Sequence, residues 1–178
     1  MKKSSKMRIL ITLLLLAPCA NCFSQSSAFI EYKDTTNHFS INIPAGWNYG
    51  VNKNYPDLKL IAVRKQINAS DKILENFNLN ILNKVNSSLD REYKKLISAL
   101  ISTNNFNLLE NDSTSINGLP FKWFIESHKN ESGQDFMNNY VYLTYKEGKT
   151  YILTFVSSTA NFEKYKLLFR DIAKSITL

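Results

Sequence analysis

Cysteine is nearly missing from this chain, and both copies sit where they are expendable. Cys19 and Cys22 are the only two among 178 residues, and both fall inside an N-terminal stretch that reads as a removable leader. The rest has no thiol, and therefore no disulfide and no cysteine-ligated metal. A domain of about 150 residues buries about 70% of its unfolded surface and needs no such staple. Histidine is almost as scarce, with His38 and His128 alone, so no histidine-rich metal motif is present and no metal site is expected. Five glycines and four prolines leave no material for a flexible linker or a low-complexity run. The longest leading hydrophobic run, Ile9 to Ala17, has nine residues. That is too short to span a bilayer and suits the core of a secretory signal.

The start of the chain fits the same expectation. Lys2, Lys3, Lys6 and Arg8 precede the apolar run, and small residues follow it. Cleavage after Ser24 would expose Gln25, giving a leader over residues 1–24 and a single domain over 25–178. The protein is then exported through a Sec-type route to the periplasm or beyond. The alternative is a lipid anchor on Cys19, since Leu16-Ala17-Pro18-Cys19 places a leucine three residues before a cysteine, although Pro18 is a poor fit. The charge balance shifts with processing. The whole chain carries +7, and removing four bases and no acid leaves +3. The remaining lysines are dispersed among acids, without the dense basic stripe that nucleic acid requires. No nucleic-acid partner is expected, and no membrane span in the mature chain.

Periodicity outlines the elements. Phe29 to Tyr32 and His38 to Ile43 read as strands around the polar turn Asp34 to Asn37, with Phe39, Ile41 and Ile43 alternating against polar neighbours. Pro44 ends the second and Gly46 frees the turn that returns Trp47 to the core. Leu58 to Arg64 is apolar on both faces, the pattern of an inner strand covered twice. Phe77, Leu79, Ile81 and Val85 mark the next strand. Ser88 opens a helix as its cap, with Asp90 and Glu92 in the first turn. Leu89, Tyr93, Leu96, Ile97, Leu100 and Ile101 form its apolar stripe. A short strand over Phe106 to Leu109 follows, then the turn dipeptide Asn117-Gly118. Phe121 to Ser127, Met137 to Tyr145 and Tyr151 to Ser157 make a meander with tight connections. The chain closes on a helix that places Phe162, Tyr165, Leu168, Phe169, Ile172 and Ile176 on one face. The fold class is α+β: an antiparallel β-sheet with amphipathic helices packed on it.

Three elements carry a resemblance. Phe39-Ser-Ile-Asn-Ile-Pro-Ala-Gly-Trp47, the turn Ile116-Asn-Gly-Leu-Pro120, and the ending Tyr151-Ile-Leu-Thr-Phe155 with Phe162, Tyr165, Phe169 and Ile172 together resemble the PsbP-like superfamily. The likeness runs over nearly all of the mature chain. It implies the same α+β fold and a role in binding or assembly. It brings no catalytic residue with it, because the matching positions are turn glycines, a strand-ending proline and core aromatics.

The chemistry points the same way. No nucleophile elbow, zinc-protease helix, phosphate-binding loop or dinucleotide fingerprint is present. No catalytic residue and no cofactor is expected. An enzyme reading needs His38 or His128 to meet a buried carboxylate in a cleft, with Glu31, Asp34 and Glu126 the nearest in sequence. For binding, Trp47, Tyr49 and Tyr55 are the ligand candidates around an Asn- and Gly-bearing loop. Tyr140, Tyr142 and Tyr145 are a second aromatic group on one strand. The expected function is that of an exported, non-enzymatic envelope protein that binds a protein partner or supports an assembly. The alternative is a carrier holding a small ligand, lipid or glycan in a pocket between sheet and helix.

Overall fold

Asp34 turns the chain where its sequence predicts a turn: its carboxylate accepts from the backbone N–H groups of Thr36 and Asn37 at 2.9 and 2.8 Å. The strands on either side are β1 (Phe29–Asp34) and β2 (Phe39–Pro44), paired antiparallel from Phe29 opposite Pro44 to Asp34 opposite Phe39. The structure is a computed structural model describing residues 28–69, 71–102, 105–129, 133 and 136–178. The leader expected over residues 1–24, with both cysteines, lies outside the described residues, as does the connection over 130–134 apart from Gly133.

Seven strands form the main sheet. They are β3 (Asn48–Gly50), β4 (Leu58–Val63), β5 (Asn76–Asn83), β6 (Asn107–Ile116), β7 (Leu119–Lys129), β8 (Phe136–Lys146) and β9 (Lys149–Ser158). Their order is β3-β4-β5-β9-β8-β7-β6, and every neighbouring pair is antiparallel. Two turns set the meander. Asn117 and Gly118 lie at φ +50° and +79°, and Glu147 and Gly148 at +50° and +75°. Both connections thus have two left-handed residues, as the tight primed hairpin demands.

The helices α1 (Leu89–Ile101) and α2 (Phe162–Lys174) take opposite faces. On β7, Trp123 stacks edge-on against Tyr140, which meets Phe162 of α2. Its sequence neighbour Phe124 points the other way, to Tyr93 of α1 at 6.1 Å. The α2 face holds the main core, including Phe77, Leu79, Leu153, Phe155, Phe169 and Ile172 at 0–1% exposure. The β1–β2 hairpin shares this face through Ile41 and Ile43, and Ser40 and Thr177 exchange backbone bonds of 3.0 and 2.9 Å. Among the described residues, no helix is long and apolar enough to cross a membrane.

The structure departs from the sequence expectations in three places. Leu60 and Ala62 of β4 are fully buried, but Ile61 and Val63 are only partly so, because α1 lies over β7 and β8 and not over this end of the sheet. The α1 stripe is accordingly half-buried, and Ile101 is 64% exposed. Val85 falls beyond β5 and is 77% exposed. Finally, β6 extends far past Leu109, through a polar run with no apolar alternation.

Candidate functional site: a groove walled by cations

The hairpin at Asn117-Gly118 lays β6 beside β7, and α2 crosses the same face at an offset. Between them runs a groove made of two contiguous hollows of about 290 and 350 Å³ that share Tyr140, Lys166 and Arg170. Strand periodicity builds its floor. Tyr140 and Tyr142 lie two apart on β8, so their rings fall on one face, 4.7 Å between centroids. Trp123 stands on the adjacent strand, 5.4 Å from Tyr140 and tilted by 70°. Thr114 and Ile116 complete the floor from β6.

Helical periodicity builds the wall. Lys166, Arg170 and Lys174 are spaced at i, i+4 and i+8, so they follow one line along α2. At 1.5 Å per residue the line is about 12 Å long. Lys166 is neutralised by Glu110 across the groove, at 3.0 and 3.3 Å. Arg170 and Lys174 are exposed, and neither makes an ion pair with another described residue. Burial, aided by the hydrogen bond with Tyr140, pushes the Tyr142 phenol well above its ordinary pKa, while Arg170 acts in the opposite direction. The floor therefore stays neutral, and the net charge of the groove is positive. It offers hydrogen-bonding hydroxyls, an indole and two free cations, which together suit an anionic group carried on an apolar or ring-bearing body.

The loop aromatics lie elsewhere. Trp47 packs on Phe77 in the core, with centroids 6.1 Å apart. Tyr49 meets Tyr32 edge-on at 5.9 Å and is 48% exposed, and Tyr55 is 63% exposed. They belong to the β3 end of the sheet, whereas the groove borders β6 at the opposite end. Tyr145 faces away from Tyr140 and Tyr142, and its hydroxyl donates to the Lys84 carbonyl at 3.1 Å. The α2 cations, absent from the sequence-based candidates, were signalled by the polar face of the last helix. Their place in the groove is visible only once β6 is known to run beside them.

The histidines separate as well. His38 is exposed at φ +57°, while Asp34 is engaged in its turn and Glu31 in a pair with Lys33. His128 does meet a buried carboxylate: its Nδ1 is 3.1 Å from each oxygen of Glu126, which is 2% exposed. Burial raises the Glu126 pKa, against opposing pulls from His128 and from a hydrogen bond with Asn139. Asn139 stands directly across on β8. These groups share the α1 face, so the sheet separates them from the groove. Among the described residues, no cluster of three or more histidine, aspartate, glutamate or cysteine side chains is arranged to hold a metal.

Comparison with known proteins now adds a lineage. The PsbP family profile matches residues 27–178, so the chain belongs to the PsbP family. Its fold is similar to cyanobacterial PsbP (CyanoP) from Synechocystis sp. PCC 6803, with a TM-score of 0.60 and 16% identity, over 92% of this chain and 98% of that one. It is also similar to LpqN of Mycobacterium tuberculosis, a protein involved in cell envelope biogenesis (TM-score 0.57, 12% identity, 79% of this chain and 82% of that one). A third is the Ran-binding protein Mog1p of Saccharomyces cerevisiae (TM-score 0.56, 13% identity, 85% and 96%). At these identities the likeness is one of fold. No curated protein sequence matches the chain significantly.

Proposed function

We propose that this PsbP-family chain is an exported, non-enzymatic binding domain of the bacterial envelope, and that the groove along α2 receives an anionic surface of a protein partner. The carrying observation is that Arg170 and Lys174, which make no ion pair with another described residue, are held beside the ring floor of Trp123, Tyr140 and Tyr142. Charged side chains at such a rim steer a partner and fix its orientation, and a central aromatic anchor supplies much of the affinity. Residues 1–24 act as the leader, and residues 25–178 are the working domain. Family membership and the absence of catalytic motifs support the non-enzymatic reading.

In-cell photo-crosslinking tests the proposal. A photoreactive residue at position 170 should capture one dominant envelope protein, and the same probe at Tyr55 should not. Equal capture from both positions, or none from 170, would overturn the assignment of the groove. The intact mass of the processed protein tests export: a mature chain beginning at Gln25 supports the leader, and a lipid-bearing Cys19 replaces it with the anchored form.

A second reading is favoured by the cavity itself. Two hollows of about 290 and 350 Å³ lined by tyrosines match the lower range of small-ligand sites. A carrier of a small anionic ligand would show a rise in melting temperature with ligand concentration in the absence of any protein partner.

A further inference from the structure

The strand β6 ends the sheet, and nothing in the sheet lies beyond it. It is ten residues long, and Asn107 to Ser115 are all exposed. Edge strands are usually kept short, because their free N–H and C=O groups are a template for another strand. Here a bulge between Leu108 and Glu110 interrupts the first part, after which the register runs unbroken from Glu110 opposite Ile125 to Ile116 opposite Leu119. That leaves seven regular residues of open edge, about 23 Å at 3.3 Å per residue.

The hairpin fixes which groups are free. A two-residue turn makes Ile116 and Leu119 the closing hydrogen-bonded pair. Counting back by twos, Thr114, Asp112 and Glu110 exchange bonds with β7, while Ser115, Ser113 and Asn111 turn theirs outward. Ser113 follows this pattern: its N–H is outside the ladder and donates to the Asp112 carboxylate at 2.7 Å. Asp112 makes no ion pair with a described residue, and Glu110 is already neutralised by Lys166.

We propose that Glu110–Ile116 is a docking edge for an extended, basic segment of a partner protein, which adds a strand to the sheet beside β6. A carbonyl of the incoming strand takes over the Ser113 N–H. The Asp112 carboxylate, released from that bond, pairs with a Lys or Arg on the newcomer. Until then Asp112 covers the central free donor and keeps the edge from pairing indiscriminately. The sign of the charge selects the occupant. Two copies of β6 paired antiparallel about Ser113 would set each Asp112 opposite Thr114 and leave it without a countercharge, so a basic strand complements this edge better than a second copy of the chain. The side chains Asn111, Ser113, Thr114 and Ser115 are small and leave the approach open. The edge borders the groove, which Glu110, Thr114 and Ile116 also line, but it would be read through the outward backbone groups of Asn111, Ser113 and Ser115 and not through the groove's cations.

The test uses the mature protein and a nine-residue peptide alternating lysine with threonine and valine, read by NMR amide exchange. Saturation should slow exchange at Ser113 and Ser115 at least tenfold. N-methylation of the alternate peptide residues that face β6 should abolish binding, and methylation of the other set should spare it. Asp112→Asn should weaken binding at least threefold. Ser113→Pro should abolish it without loss of fold, since that N–H is not in the ladder. Equal binding of both methylated peptides would mean that attraction is by charge alone and would overturn the proposal. So would protection confined to the α2 groove, or dimerisation through β6 in the absence of peptide.

Discussion

Arg64 grips Asp71 with two parallel hydrogen bonds of 2.8 Å and turns its Nε to Glu75, a carboxylate with no exposed surface. Glu75 also accepts from Asn161 Nδ2 at 2.9 Å and lies 3.4 Å from Ser157 Oγ. Asn161 stands at the N-cap of α2, yet its side chain makes no capping bond there. The side chain suited to cap the helix is spent fastening it to the 64–75 segment. The N-terminal end of the groove's wall is thus held by a buried charge network at the ends of β4, β5 and β9, in addition to the Lys166–Glu110 pair across the groove.

Removing the centre of that network leaves a buried carboxylate without a countercharge, so Arg64→Ala is expected to destabilise by about 3–5 kcal/mol. Arg64→Lys retains the charge but cannot fork to Asp71 and Glu75 together, and should fall between. Urea unfolding monitored by circular dichroism measures both. An Arg64→Ala protein within about 0.5 kcal/mol of the parent would show that the network contributes specificity and not stability.

Glu126 responds to pH in a defined direction. Burial raises its pKa in the folded state. A raised acid stabilises the fold while it is protonated. That contribution is whole below the unfolded value, about 4.3, and is lost as pH rises through the folded value. Glu126→Gln keeps the shape and removes the charge. It should match the parent near pH 4 and exceed it at pH 8 by on the order of 1 kcal/mol. Thermal melts across that range decide it, and a less stable variant at pH 8 would mean that the charged carboxylate is held by His128.

The sequence made these features legible to different degrees, for physical reasons. Glu126 and His128 are two apart on a strand, so their shared face followed from periodicity alone. Asn139 was invisible, because its place beside Glu126 depends on the register between β7 and β8. The helices could be read because each buries a stripe, and Ser88 does cap α1, accepting from the Arg91 N–H at 3.3 Å. β6 was largely missed because a strand with water on both faces and along one edge has no reason to alternate. The groove was missed for a related reason: its residues come from β6, β7, β8 and α2, and only long-range pairing assembles them. Trp47, by contrast, was conspicuous in sequence because the core needs it.

Asn117 has two separable roles. It occupies a left-handed turn position at φ +50°, and its Nδ2 donates to the Ile176 carbonyl at 2.7 Å, tying the β6–β7 turn to the end of the chain. Asn117→Gly keeps the turn and loses the tie, and should cost about 0.5–1.5 kcal/mol. Asn117→Val loses both and should cost more, because a β-branched residue is strained at positive φ. Chemical denaturation ranks the two. Equal costs would assign the whole effect to the tie.

Reversing the free cations isolates recognition from folding. Arg170 and Lys174 are exposed and make no ion pair with another described residue, so Arg170→Glu with Lys174→Glu removes no buried contact, and the stability change should stay within about 0.5 kcal/mol per site. Partner capture should nevertheless fall at least tenfold, since like charges then face the anionic surface. Raising the salt concentration should weaken the parent complex and leave the residual binding of the variant nearly unchanged, because screening acts on exposed charges. Trp123→Ala probes the floor in the same way, with a loss that salt does not reproduce. If the charge reversal leaves capture intact while Trp123→Ala abolishes it, the groove recognises an apolar body and the cations serve only solubility. If both leave it intact, the binding surface lies off the groove.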